Sequence, residues 1–250
     1  MTRLDLTCSC DLIDLPVPVH PRTAESSLPG LSCPVMALFL VLAAPLSAID
    51  LATFGNTIHR WHVENDPVMG GQSVSTLKNT TTHLGKQVGE WIGECRIVPS
   101  LGAPGFTIAM TEDPTLGTAK FPNVAKEDGL TVTLRNVKGN VTQFKVAFCD
   151  THIDPYRCQF GTYKANFTAK HSNGFTTVFL PWDAFTDKWS PSTGEPTAHD
   201  PPNHYSLASI SQVQLWVEGV TGDFHVEIEG IRADKKPMNV VEDTGADELP

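Results

Sequence analysis

The stretch QVQLWVEGVTGDFHVEIEGIRA, residues 212–233, decides the fold. Val213, Leu215 and Val217 fall on every second position, with Gln214 between them, and Phe224, Val226 and Ile228 repeat the pattern around Glu227. A period of two sends successive side chains to opposite faces of an extended chain, so each run reads as a strand with one buried face and one wet face. Thr221-Gly222-Asp223 separates the runs with turn-forming residues. Working outward, Val132/Leu134 beside Thr131 and Phe144/Val146/Phe148 around Lys145 show the same alternation, and helical periodicity is almost absent between Ile58 and Ala233. Parallel strands covered on both faces would instead read as continuous apolar runs joined by helices. The expected architecture is therefore all-β, an antiparallel two-sheet β-sandwich.

Turn residues punctuate the strands at Asp113-Pro114, Lys138-Gly139-Asn140 and Ser172-Asn173-Gly174. Lys188 to Asn203 carries Pro191, Pro196, Pro201 and Pro202, too many for a central strand, and is expected to be a surface loop. The segment Pro181-Trp182-Asp183-Ala184-Phe185 reads as a short turn plugging one end of the sandwich, with Trp182 in core packing.

The chain has 250 residues and a formal net charge of -10, which fits one domain with flanking segments. Lys and Arg are outnumbered and scattered, which argues against nucleic acid as a partner. The apolar run MALFLVLAAPLSA, residues 36–48, is about half the length that crosses a bilayer, so no membrane span is expected in the mature chain. With Leu46-Ser47-Ala48 at its end, it reads as a signal-peptide core and predicts a mature chain starting near Ile49; the alternative is an apolar helix packed on the domain. Residues 1–35 hold only Arg3 and Arg22 as bases, unlike a mitochondrial presequence, and read either as disordered or as lying before a translation start at Met36. The expected division is thus a leader over 1–48, a sandwich over 49–233 and an acidic disordered tail over 234–250. The leader favours the secretory pathway or the extracellular space.

Asn79, Asn140 and Asn166 each begin an Asn-x-Thr sequon, and alternation puts Asn166 on the wet face of a strand with Lys164 and Thr162. Cys149 and Cys158 flank an Asp-Pro turn, where they either close a short loop as a disulfide or sit as two small buried thiols; Cys95 is left over. His152 alone, with no paired Cys-x-x-Cys, does not make a metal site, and neither metal nor cofactor is expected.

At Trp61 to Ser75 the chain reads WHVENDPVMGGQSVS. This resembles the signature of the complex I intermediate-associated protein 30 family, in which a Trp precedes Asn-Asp, a Val-Met-Gly-Gly turn and a Ser-x-Ser. The resemblance continues through EWIGECRIVPSLGAPGF (90–106), GLTVTLRN (129–136), YKANF (163–167), FLPWDAF (179–185) and DFHVEIEGIRA (223–233). It implies a galactose-binding-like jelly roll, and a role like that of the mitochondrial family members that bind assembly intermediates of respiratory complex I. The absence of a convincing presequence sets this chain apart from them, with the mitochondrion as the alternative location.

The signature has two physical readings. Asp66-Pro67 starts a turn and Gly70-Gly71 permits positive φ or close backbone approach, which makes it conformational. Alternatively, Asn65, Asp66, Gln72 and Ser73 set donors and acceptors beside Trp61 and Met69, as ligand sites do. Trp216, out of phase with its apolar neighbours, lies on the outer face, where it either stacks on a sugar ring or partner chain or is covered by a loop.

No nucleophile elbow, zinc-protease helix motif or phosphate loop occurs, and no catalytic residue is assigned. His199, Asp200, His204 and Tyr205 gather in the Pro-rich loop, and Glu227 and Glu229 lie two apart on one strand face; both read as ordinary polar surface. Two function classes remain: a non-catalytic assembly factor or chaperone binding a protein partner, and a secreted, glycosylated, lectin-like module binding a glycan.

Overall fold

Eleven strands form two antiparallel sheets in a computed structural model that describes residues 48–55, 59–82, 85–112, 121–150, 158 and 163–237. The leader, the tail beyond 237, the Asp113-Pro114 turn and His152 lie outside the described residues. The strands are β1 (Ile49–Thr53), β2 (Trp61–Asn65), β3 (Val74–Thr81), β4 (Gln87–Cys95), β5 (Phe106–Thr111), β6 (Gly129–Gly139), β7 (Gln143–Asp150), β8 (Tyr163–Thr168), β9 (Thr176–Pro181), β10 (Ile210–Glu218) and β11 (Gly222–Asp234).

The first sheet runs β3-β4-β11-β6-β9, and β1 pairs with the far half of β11. The second runs β2-β5-β10-β7-β8. The quoted stretch supplies a central strand to each: β10 lies between β5 and β7, and β11 between β4 and β6. Crossing from one sheet to the other at Thr221-Gly222 makes the two strands face each other across the core of a jelly-roll sandwich. Gly222 has φ 153°, and a Cβ there would meet the Asn140 side chain at 1.9 Å, so only glycine fits this corner.

Between the sheets, Val213, Leu215 and Val217 meet Phe224, Val226, Ile228, Leu130, Val132, Leu134, Phe144, Val146 and Phe148. Trp91 is fully buried and edges onto Phe224 at 4.7 Å. Trp182 packs on this core from a one-turn 3-10 helix and donates its indole N–H to the Glu127 carbonyl at 2.7 Å. The one α-helix of note among the described residues, α1 (His204–Ala208), is capped by Asn203, whose Oδ1 accepts from the backbone N–H groups of Tyr205 and Ser206.

The expected wet faces are not wet. Thr131, Lys145, Gln214 and Glu227 are all buried. On the first sheet Arg135 grips Glu227 with two hydrogen bonds of 2.6 and 2.7 Å, and Thr131 lies between Phe179 and Arg232 of the flanking strands. On the second sheet the reason is cover. Phe106, Ile108, Met110, Ala147 and Trp216 form a separate apolar cluster on the outer side. The Pro-rich segment runs alongside: Thr186 bridges to Lys164 of edge strand β8 through a pair of backbone hydrogen bonds. Gln212, Gln214 and Trp216 satisfy one another in a row beneath, the Trp216 indole N–H donating to Gln214 Oε1 at 2.8 Å and Gln214 Nε2 to Gln212 Oε1.

Candidate functional site

The signature splits into parts with different tasks. β2 ends at Asn65, opposite Thr107 of β5, and Asp66–Met69 then makes a 3-10 turn closed by Gly70 at φ 89°. Asp66 is 4 % exposed, and its carboxylate accepts from the Ser73 amide at 2.7 Å, the Ser73 hydroxyl at 2.6 Å and the Phe106 amide at 3.0 Å. Ser73 Oγ in turn accepts from the Arg96 amide at 2.9 Å. One buried carboxylate thereby ties the turn to the starts of β3 and β5 and to the end of β4. Gly71 passes directly over it: a Cβ there would lie 2.2 Å from Asp66 Cγ. Asn65 Oδ1 accepts from the Ser75 hydroxyl at 2.7 Å. In this geometry Asp66, Ser73, Gly70 and Gly71 shape the turn, as in the conformational one of the two readings of the signature.

Trp61 sits at the other end of β2, about 13 Å of extended chain from the turn. It stacks on Phe54 at 4.9 Å and lines a hollow of about 400 Å³ with His59, Arg60, Leu77, Asn79 and Glu112. Burial lowers the His59 pKa, and its ring lies flat on Phe121 at 4.0 Å. Met69 and Gln72 are exposed.

Trp216 is 1 % exposed and so, of its two readings, is covered rather than open to a sugar ring or partner chain. It forms instead the floor of a second hollow of about 340 Å³, together with Phe106, Met69, Trp189, Lys164 and Glu218. Sequence reading missed Lys145, Lys164, Trp189 and Glu218. Lys164 Nζ lies 4.3 Å from the Trp216 ring and 4.9 Å from the Trp189 ring, and reaches Glu218 Oε2 at 3.0 Å. Lys145 Nζ reaches the same oxygen at 3.3 Å. Burial pushes the Lys164 pKa down, and Glu218 partly holds it up against that pressure. Lys164 was expected on the wet face beside Asn166; only Asn166 is exposed, because Lys164 is turned under the Trp189 segment.

Asn79 on β3 and Asn140 after β6 are exposed as well. Cys149 and Cys158 are joined, with their Cα atoms 5.7 Å apart. Cys95 is buried, and burial pushes its thiol up to about 11. The loop cluster resolves into separate surface contacts: His199 meets Asp183 at 3.1 Å, Lys188 meets Asp200 at 3.2 Å, and the His204 and Tyr205 rings touch.

The family model for complex I intermediate-associated protein 30 (CIA30) matches residues 52–228. The chain belongs to the CIA30 family. That span covers both sheets, the signature turn and both hollows. No curated protein sequence matches the chain significantly. Among solved structures the CIA30 chain is similar to a family 11 carbohydrate-binding module of the cellulosomal cellulase Lic26A-Cel5E of Clostridium thermocellum, with 11% identity over 77% of this chain and 97% of that one and a TM-score of 0.49. A family 11 module from the same organism in complex with a β-1,3-1,4-mixed-linked tetrasaccharide gives 11% identity, 75% and 95% coverage and a TM-score of 0.49. The agarase AgWH50C gives 11% identity, 76% and 26% coverage and a TM-score of 0.44.

In the CIA30 domain, no group of His, Cys, Asp or Glu among the described residues is arranged to hold a metal ion. No described helix is long and apolar enough to cross a membrane. At the signature end, Met69 is 56 % exposed, Leu101 43 % and Ile97 41 %. Met69, Val98, Leu101, Ala103 and Pro104 enclose a shallow hollow of about 100 Å³ that adjoins the larger one.

Proposed function

We propose that this chain is a non-catalytic, protein-binding member of the CIA30 family that docks an assembly intermediate on the apolar rim beside its signature turn. The observation that carries this reading is the exposure of Met69 and Leu101 on two short 3-10 turns, Asp66–Met69 and Pro99–Leu101. Apolar side chains held out by tied-down turns lose little conformational freedom on binding and gain the burial of their own surface. The Asp66 network holds the first turn, so the signature shapes the rim while Met69 and Leu101 touch the partner.

The test is a pair of substitutions on the rim. Met69→Asp with Leu101→Asp is expected to leave the melting temperature within about 2 °C, as exposed substitutions usually do. Proteins that co-purify specifically with the unaltered chain are expected to be lost. Retained co-purification by the stable double variant would end this reading.

The same reading takes the chain through the secretory pathway, supported by the apolar run at 36–48 and by the exposure of Asn79, Asn140 and Asn166. Enzymatic removal of N-glycans is expected to shift the mobility of protein from its own cells, and Asn166→Gln to reduce that shift. An unshifted protein recovered from mitochondria would overturn the secretory reading in favour of the mitochondrial alternative.

A further inference from the structure

The hollow beside Trp61 opens next to a residue that accepts a sugar covalently. Asn79 begins the sequon Asn79-Thr80-Thr81 on edge strand β3, is exposed, and lines this hollow with Trp61, Leu77, Arg60 and Glu112. No described residue hydrogen-bonds its side-chain amide. Asn140 and Asn166 line none of the three hollows described above.

Strand register builds an apolar wall beside Asn79. Asn79 stands directly opposite Gly89 of β4, and opposed residues share a face of the sheet. Gly89 leaves that face open to Phe54: a Cβ on it would lie 2.2 Å from Phe54 Cζ. Phe54 is buried and backs Trp61, the two rings stacking at 4.9 Å. Trp61 and Leu77 are half-buried and carry the wall to the hollow. Leu77 precedes Asn79 by two residues and so projects from the same face. Arg60 and Glu112 add a donor and an acceptor at the margin. The volume of about 400 Å³ lies within the roughly 300–1,000 Å³ typical of small-molecule sites.

We propose that the first N-acetylglucosamine of an N-linked glycan on Asn79 folds into this hollow, with a C–H face on Trp61 and Leu77. The inference rests on the secretory reading of the chain. In that pathway Asn79 Nδ2 bonds to C1 of a lipid-linked oligosaccharide and loses a proton, while the lipid diphosphate leaves. The covalent tether holds the sugar at high effective concentration, so ring contacts too weak to retain a free sugar suffice. The seat exists only in the folded chain, and its occupation therefore stabilises the fold.

The test uses the full chain from glycosylating cells. Mass spectrometry of the unaltered protein reads which sequons are occupied, and Asn79 is expected among them. In a chain carrying Asn140→Gln and Asn166→Gln, an endoglycosidase that leaves one N-acetylglucosamine on Asn79 is expected to change the melting temperature by less than about 1 °C. Abolishing the sequon, by Asn79→Gln or separately by Thr81→Ala, is expected to lower it by about 3 °C. With Trp61→Ala added, the trimmed and unglycosylated forms are expected to melt together. If Trp61→Ala does not fold, a nuclear Overhauser contact between the sugar and the Trp61 indole in the trimmed protein carries the test, and its absence counts against the proposal. Equal melting of the trimmed and both unglycosylated forms, or a difference that survives Trp61→Ala, would overturn it. An unoccupied Asn79 beside an occupied Asn166 overturns this inference alone, whereas a chain with no occupied sequon takes the secretory reading with it.

Discussion

Glu218→Gln is expected to destabilise the domain by about 3–5 kcal/mol, the range found when one partner of a buried ion pair is removed. Glu218 is in ion-pair contact with both Lys145 and Lys164, and all three side chains are at most 7 % exposed. Gln keeps the shape and a hydrogen-bond acceptor but removes the charge that compensates two buried ammonium groups. Urea unfolding at neutral pH measures the loss. The pH dependence has a definite sign. Burial already lowers the Lys164 pKa, and Glu218 opposes this, so removing Glu218 depresses it further. A basic group whose folded pKa lies below its unfolded value binds fewer protons when folded, and stability then rises with pH between the two values. The variant should therefore regain part of its deficit as pH climbs toward the ordinary lysine value. A deficit that is constant or grows over that window would show that the lysines are not the uncompensated groups.

Asp66→Ala is expected to cost about 3 kcal/mol or more, because the Ser73 and Phe106 amides and the Ser73 hydroxyl lose their acceptor inside the fold. For a domain of this size that is about 10 °C in melting temperature. Asp66→Asn should fall between, since one amide oxygen still accepts while its NH₂ faces an amide donor. If Asp66→Ala melts like the unaltered chain, the signature aspartate does not hold the turn, and a contact role for it would be reopened.

The inner half of the fold was legible because alternation reports which side of a strand faces apolar neighbours: Val213, Leu215, Val217, Phe224, Val226 and Ile228 all lie in the core. The outer half was not. Whether Gln214, Lys145 or Trp216 meets water depends on a segment reaching back from Thr186 to Pro196, and alternation within a strand carries no information about cover from a distant loop. One signal was available: Phe106-Thr107-Ile108-Ala109-Met110-Thr111 carries no charged or amide side chain on either face, unlike the half-wet strands, and all six residues are buried. It implied that something covers the second sheet, and Trp189 in the Pro-rich loop was a candidate for that cover.

The candidate site was half legible for a related reason. The signature drew notice to Asp66, Ser73 and the two glycines, but residue type does not say whether a polar group points outward or inward. Here Asp66 and Ser73 are consumed by backbone donors, and Met69 is left outside. Lys164 and Glu218 are brought together only by strand register, β8 against β7 and β7 against β10, and no local pattern announces the pair.

The most direct measurement of the docking role is contact-specific cross-linking in the cells that make the protein. A photo-reactive side chain at position 101, on the rim, is compared with one at position 78, where Lys78 is exposed on the outer face of β3. A discrete protein adduct at 101 and none at 78 is the expected result. Equal adducts at both positions, or none at 101 while the chain remains folded and co-purifies with its partner, would contradict docking on the rim.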